Sequence, residues 1–305
     1  ALGDGAALGD FVILGEPRID RFKLLILPNI AALSDRQCAQ LTEFVKRGGS
    51  LVATYETSLY DEWGVKRKDF GLAELFGVRY LGREEGPMRN SYARIETGPD
   101  GRRHPLVTGF DGAERIVNSV FRVEVEPTVR QPNPPLTLIP PYPDLPMEQL
   151  FPRVPKTDIA LAYLREFGKG RVVYLPGDFD RSLWEFLLED HARLLKNAVL
   201  WAANEEQPVT VAGPGLLDVT VWRQRGSMTV HLVNLSNPMT MRGYFREFLP
   251  VGPLKVRVRL PEGATAGAIR LLKSDAQPPV ARSAGAIEVT VPSVEDHEVV
   301  AINLG

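Results

Sequence analysis

The chain has 305 residues, 44% of them hydrophobic and 24% charged, and a formal charge of −2. That is the balance of a soluble globular protein with room for two domains of about 100–200 residues. It excludes a basic field for nucleic acid and a polybasic membrane patch. No apolar run reaches the ~20 residues of a membrane span, and the single Cys38 excludes an intrachain disulfide and any multi-cysteine metal site.

Residues 1–10 are rich in Gly and Ala without a period, and Phe11 to Leu14 reads as a short apolar strand. Too few residues separate it from the run at Lys23-Leu24-Leu25-Ile26-Leu27 for a helical crossover, which needs about a dozen. The two strands are therefore antiparallel, or parallel and not neighbours. The Lys23–Leu27 run, closed by Pro28, suits a strand covered on both faces. Ser34 with Gln37 forms a capping box, and Cys38, Leu41, Phe44 and Val45 share one face of the helix that follows. Lys46, Arg47 and Gly48 end it, and Ser50 to Thr54 is a second buried strand. That strand empties into Tyr55-Glu56-Thr57-Ser58-Leu59-Tyr60-Asp61-Glu62-Trp63, the place where ligands gather in an open α/β sheet.

Lys66, Arg67 and Lys68 read as a solvated turn, and Asp69 as the cap of a short helix stopped by Gly77. Val78–Leu81, Ser91–Ile95 and Arg115–Val125 read as strands. Residues 126–156 hold ten of the chain's 25 prolines. Proline lacks the amide donor and fixes φ, so this stretch is expected to be an extended arm, neither helix nor central strand. Tyr142, Met147, Leu150 and Phe151 are its expected anchors, docking it in the strand-end crevice or on a neighbouring subunit. Ile159–Phe167 and Arg171–Leu175 flank a Gly168-Lys169-Gly170 hairpin signal. Pro176 to Asp180 is a strand-to-helix elbow whose helix Asp180 or Ser182 would cap, and a helix from about His191 to Ala203 stops at Asn204. From Gln207 the period changes to two, in Val219 to Trp222, Met228 to Val233, Leu254 to Leu260 and Ile287 to Val291. Short alternating strands with Gly/Pro turns predict a β-sandwich. The predicted organisation is thus an α/β domain over residues 1–206, carrying the arm 126–156, and a small all-β sandwich over 207–305.

The chemistry is sparse. Cys38 on an apolar helix face reads as core, not as a nucleophile. His104, His191, His231 and His297 share no metal-ligand spacing. Ser58 lacks the glycines of a G-x-S-x-G elbow and reads as a turn residue. Asn234-Leu235-Ser236 fits a glycosylation sequon, which has meaning only in a eukaryotic secretory protein. The strand-end carboxylates Glu56, Asp61 and Glu62, and Asp178 and Asp180 at another strand end, point to sugar binding, with Tyr60, Trp63, Tyr142 and Trp184 as stacking faces and Glu148 on the arm joining them. Paired carboxylates also serve glycosidase acid/base chemistry, so a hydrolase using Glu56 or Asp178 stands as a further reading. No cofactor and no metal is expected.

Leu24-Leu25-Ile26-Leu27-Pro28-Asn29, then Gly48-Gly49-Ser50-Leu51-Val52-Ala53, then Glu56 through Gly64 together resemble the trimerisation domain of bacterial beta-galactosidases of glycoside hydrolase family forty-two. Gly170 to Asp178 with the Leu194–Ala203 helix resembles the end of the same domain, and Phe248 to Pro253 with Asp296 to Val300 resembles the small β-domain that follows it. The resemblance implies a flavodoxin-like fold, similar to class I glutamine amidotransferases, with a mostly parallel sheet and no catalytic cysteine near Tyr55 or Glu56. It implies an upstream catalytic barrel, a homo-oligomer (a trimer) and a carbohydrate partner. No catalytic residue carries over to this chain. The expectation is a non-catalytic C-terminal portion of a beta-galactosidase-like glycoside hydrolase, with a stand-alone sugar-binding or regulatory module as the alternative. Ala1 is not a natural start, so an upstream segment is expected to complete the sheet. Cysteine usage fits the cytoplasm.

Overall fold

The computed structural model describes residues 17–144, 146–236 and 247–305. The predicted strand at Phe11–Leu14 lies outside the described residues. The chain divides into two compact units, one ending at Glu205 and the other running over Glu206–Gly305.

The first unit opens with β1 (Leu24–Leu27), α1 (Asp35–Lys46) and β2 (Ser50–Thr54). The capping box forms as the sequence dictates: Ser34 Oγ accepts from Gln37 N, and Gln37 Oε1 accepts from Ser34 N. Cys38, Leu41, Phe44 and Val45 are buried beneath it. Burial lifts the Cys38 thiol to about 11, the behaviour of a core thiol. After a one-turn helix α2 (Ala73–Phe76) come β3 (Val78–Glu85), β4 (Tyr92–Ile95), β5 (Arg115–Val117), β6 (Arg122–Pro127) and β7 (Leu136–Ile139). The hairpin β8 (Tyr163–Phe167) and β9 (Gly170–Leu175) leads into α3 (Phe179–Phe186) and α4 (Glu189–Ala203), which ends on a left-handed Asn204.

This order corrects the flavodoxin-like, amidotransferase-like expectation. Among the described strands only β1–β2 and β2–β9 pair in parallel, in a four-stranded sheet of order β1-β2-β9-β8. The unit's remaining strands pair antiparallel, as β3–β6 and β5-β4-β7. Each further parallel strand would need a crossover of a dozen or more residues, usually a helix, and between β2 and β9 the chain supplies only the one-turn α2 and single-turn 3-10 segments, so the strands inserted there pair antiparallel. The result is β-rich, with four α-helices among the described residues, of which α4 is the longest at 15 residues.

Three local expectations are also corrected. Arg115–Val125 is not one strand: β5 and β6 belong to different sheets. Asp69 does not cap α2; its Oδ1 accepts from Phe70 N and Tyr80 N instead. The proline-rich stretch is not wholly an arm. β7 is buried at every residue, pairs with β4, and exchanges backbone bonds with residues 159–161 on its other side. The expected anchors Met147, Leu150 and Phe151 are exposed, whereas Tyr142 stacks on Tyr92.

The second unit holds β10 (Val209–Ala212), β11 (Leu217–Gln224), β12 (Ser227–Asn234), β13 (Leu254–Arg259), β14 (Ala266–Leu271), β15 (Val280–Ser283), β16 (Ala286–Val291) and β17 (His297–Leu304). They form two antiparallel sheets, β10-β13-β16-β15 and β11-β12-β17-β14, around one apolar core. The period-two pattern is the cause: Met228, Val230 and Leu232 face that core while Thr229, His231 and Val233 face away. Asn234 is buried and donates to the carbonyls of Leu249, Val294 and Glu295, so the sequon's amide is a structural clamp. No helix among the described residues is long and apolar enough to cross a membrane.

Candidate functional site

The fully buried β2 ends in a tight turn in which Tyr55 (φ +49°) and Ser58 (φ +67°) are left-handed. Non-glycine residues adopt that region at a cost of roughly 1–2 kcal/mol each, so neighbouring groups must hold it. Thr57 Oγ1 donates to Thr54 O (2.7 Å) and to Leu27 O (3.1 Å). Ser58 Oγ accepts from Leu72 N, the turn role expected of it. The buried Tyr174 hydroxyl donates to Tyr55 O at 2.6 Å. The turn is bolted to the ends of β1 and β9.

On this platform stands a cluster of two carboxyls, one ammonium and three phenols, those of Tyr55, Tyr60 and Tyr80. Tyr60 OH donates to Glu56 Oε1 (3.1 Å), and Tyr55 OH donates to Glu84 Oε2 (3.3 Å). Lys66 Nζ lies 2.7 Å from Glu84 Oε1 and 3.7 Å from Glu56 Oε1. The two carboxyls divide the charge unequally. Burial raises Glu56, with the Glu84 charge adding to it, while the Lys66 hydrogen bond lowers Glu84. Burial alone would pull Lys66 down, but its bonds to Glu84 and Tyr80 outweigh that and raise it. Lys66 is therefore the hub of the cluster, not part of a solvated turn. Its ammonium also sits over the rings of Tyr60 and Tyr80, 5.6 and 5.2 Å from their centroids.

The other predicted residues have mostly structural employment. Asp61 Oδ1 accepts from Trp63 N and Val65 N, both at 2.9 Å, which closes an Asx turn. Trp63 stands 84% exposed at its tip. Asp178 is buried: its Oδ1 accepts from Phe121 N (2.8 Å) and lies 3.4 Å from Ser182 Oγ, while Oδ2 has no partner. Burial raises its carboxyl, and the Phe121 amide opposes this. Asp180 is likewise raised by burial, opposed by a hydrogen bond with the Thr54 side chain. Neither Asp180 nor Ser182 caps a helix from outside; both lie within α3. Glu148 is exposed on a separate 3-10 turn, Met147–Gln149.

The geometry thus joins Glu56 to Tyr60, and burial, with the charges of Glu84, Glu56 and Asp178 adding to it, raises the Tyr55 phenol. Sequence reasoning missed Glu84 and Lys66. A register shift between Tyr80 and Glu84 breaks the alternation of β3, so no periodic signal placed Glu84 beside β2's end. Among the described residues no group of three His, Cys, Asp or Glu side chains is arranged to hold a metal ion. A cleft of ≈ 1330 Å³ in the same unit is walled by Glu96, Arg102, Gln131, Pro134, Asp158 and Tyr163, among others. None of the predicted site residues lines it; within it Glu96 accepts from Thr137 Oγ1 and lies 3.7 Å from Lys156 Nζ. The Glu56 cluster is the better-built site.

Residues 7–87 match the family model described as the beta-galactosidase trimerisation domain, and the resemblance read from the sequence stands over that segment. Among solved structures, the chain is similar to alpha-L-fucosidase isoenzyme 2 from Paenibacillus thiaminolyticus, with 19% identity, a TM-score of 0.71, and coverage of 97% of this chain and 43% of that one. It is similar to the beta-galactosidase from Bacillus circulans sp. alkalophilus, at 10% identity and a TM-score of 0.61 over 94% and 34% of the two chains. A GH42 beta-galactosidase, Gan42B, matches at 16% identity and a TM-score of 0.57 over 93% and 32%. At these identities the likeness is one of fold. The chain spans less than half the length of each of these proteins.

Proposed function

We propose that this chain is the non-catalytic portion of a beta-galactosidase-like glycoside hydrolase, that it assembles the parent enzyme into an oligomer, and that its strand-end cluster shapes a carbohydrate site. The match of residues 7–87 to a trimerisation domain carries this reading. Apolar side chains left uncovered in the same segment support it: Trp63 is 84% exposed and Val65 62%. Glu56, Tyr60 and Lys66 supply donors and acceptors to sugar hydroxyls. The upstream partner is a catalytic barrel carrying the hydrolytic carboxylates.

Sedimentation velocity on the chain tests the assembly. A trimer is expected, converted to monomer by Trp63→Glu with Val65→Glu. A monomer at every concentration, or a trimer indifferent to both changes, overturns the oligomerisation reading. Aryl galactoside hydrolysis by the chain alone that disappears in Glu56→Gln would overturn its non-catalytic role.

A further inference from the structure

The outer face of the second unit's β11-β12-β17-β14 sheet carries a histidine pair that the proposed function does not use. β12 runs antiparallel to β17 with His231 opposite Val299 and Val233 opposite His297, so the two imidazoles are diagonal neighbours on one face. Their ring centroids are 5.7 Å apart, and His297 Nε2 lies 3.5 Å from His231 Nδ1. The nitrogen edges therefore face each other. A separation of 3.5 Å is long for a hydrogen bond between two nitrogens. It is close to the ~3.3–3.4 Å that separates two nitrogens each about 2.0–2.1 Å from one tetrahedral ion.

The surroundings favour the same occupant. His231 Nε2 lies 3.4 Å from Thr229 Oγ1. With the proton on Nε2 directed at that hydroxyl, the Nδ1 lone pair is left facing His297, the outer contact that orients a metal-ligating imidazole. Asp218, on the neighbouring strand and opposite Val233, places a negative charge on the same face, diagonal to His231, without joining the ligand set. Both rings are half-buried at the sheet surface, open to an ion from solvent.

We infer that His231 and His297 chelate one imidazole-seeking divalent transition ion, of the Cu²⁺, Ni²⁺ or Zn²⁺ class, on the outer face of this sheet. No third His, Cys, Asp or Glu ligand is arranged around them among the described residues, so water fills the remaining positions. Such a site is exchangeable and follows the usual order, with Cu²⁺ bound most tightly. Thr229 is a positioning residue that acts through His231.

The test is a Cu²⁺ titration of the untagged full chain at neutral pH, read by calorimetry and by nitrogen hyperfine splitting in electron paramagnetic resonance. One ion per chain with two nitrogen ligands is expected. His231→Gln and His297→Gln should each weaken binding by about tenfold or more, Thr229→Val should weaken it less, and His104→Gln should leave it unchanged. A zinc titration of the unaltered chain, followed through its imidazole NMR signals, covers the case of a variant that does not fold. His231 and His297 should shift together while His104 and His191 stay still. Binding that survives the His231→Gln/His297→Gln double variant, or no paired imidazole shift at a large excess of zinc, would overturn the assignment.

Discussion

Replacing Asp178 separates two accounts of a carboxylate at a strand end. Its Oδ1 takes the Phe121 amide at 2.8 Å, and its own amide donates to Phe121 O at 3.0 Å. Next to it, Val123 N donates to Pro176 O and Val120 N donates to Ser182 Oγ. The side chain is thus one rung of a bracket tying the 118–123 segment to the β9–α3 elbow. Asp178→Ala leaves the Phe121 donor buried without an acceptor, a loss of about 1–3 kcal/mol. Asp178→Asn keeps the acceptor and places its NH₂ where Oδ2 now has no partner, so it should lie within about 1 kcal/mol of the parent. The pH dependence follows from linkage. Burial raises the folded carboxyl above its unfolded value of about 3.9, so its protonation favours the fold at low pH, and that contribution fades as pH rises through the folded pKa. The parent should lose ground to Asp178→Asn over that rise. Urea unfolding followed by tryptophan fluorescence measures all three proteins. Equal destabilisation by Asn and Ala would refute the bracket. A stable Asp178→Asn protein that has lost carbohydrate binding would leave the bracket standing and make the carboxylate a ligand contact as well.

Glu84→Gln removes the charge that helps raise Glu56 and releases Lys66 toward it, so the Glu56 titration followed by carboxyl ¹³C NMR should move down. Leu136→Ala, in the fully buried β7, should cost about 2–5 kcal/mol, whereas Met147→Ala should change stability by no more than ~0.5 kcal/mol; chemical denaturation of the two variants checks that contrast. His191 is buried with its Nε2 donating to Val117 O, and burial lowers its pKa. Because the unfolded imidazole then takes up protons first, stability should fall as pH drops through about 6.5 toward the folded value, a slope that His191→Gln should flatten in pH-dependent melting.

What the sequence made legible was local. Ser34 with Gln37, the Gly168-Lys169 turn and Asn204 each fix a backbone conformation through groups a few residues apart, and each stands where the pattern put it. The apolar runs of β1, β2 and β9 do become parallel neighbours. Extending that inference to the whole sheet failed, because run composition reports burial and not direction. Even burial was overread in β1, where Ile26 is 51% exposed.

The larger errors share one physical cause, which is that pairing across long sequence separations leaves no local mark. Pro134-Pro135 and Pro140-Pro141 bracket β7, and Pro135 joins its pairing only through its carbonyl, which accepts from Glu96 N, so a rule about missing amide donors does not apply to the four residues between them. Averaged over the whole stretch 126–156, the prolines hid a buried strand. At the candidate site the same cause acts through charge. Glu56 was found because it follows β2 directly, but its titration is set by burial and by Glu84, and that of Glu84 by Lys66, whose partner is chosen by a register shift in β3. The strand end can be located from a run of apolar residues. Its chemistry depends on which side chains the antiparallel partners deliver there, and a one-residue change of register in β3 would deliver a neighbour of Glu84 in its place.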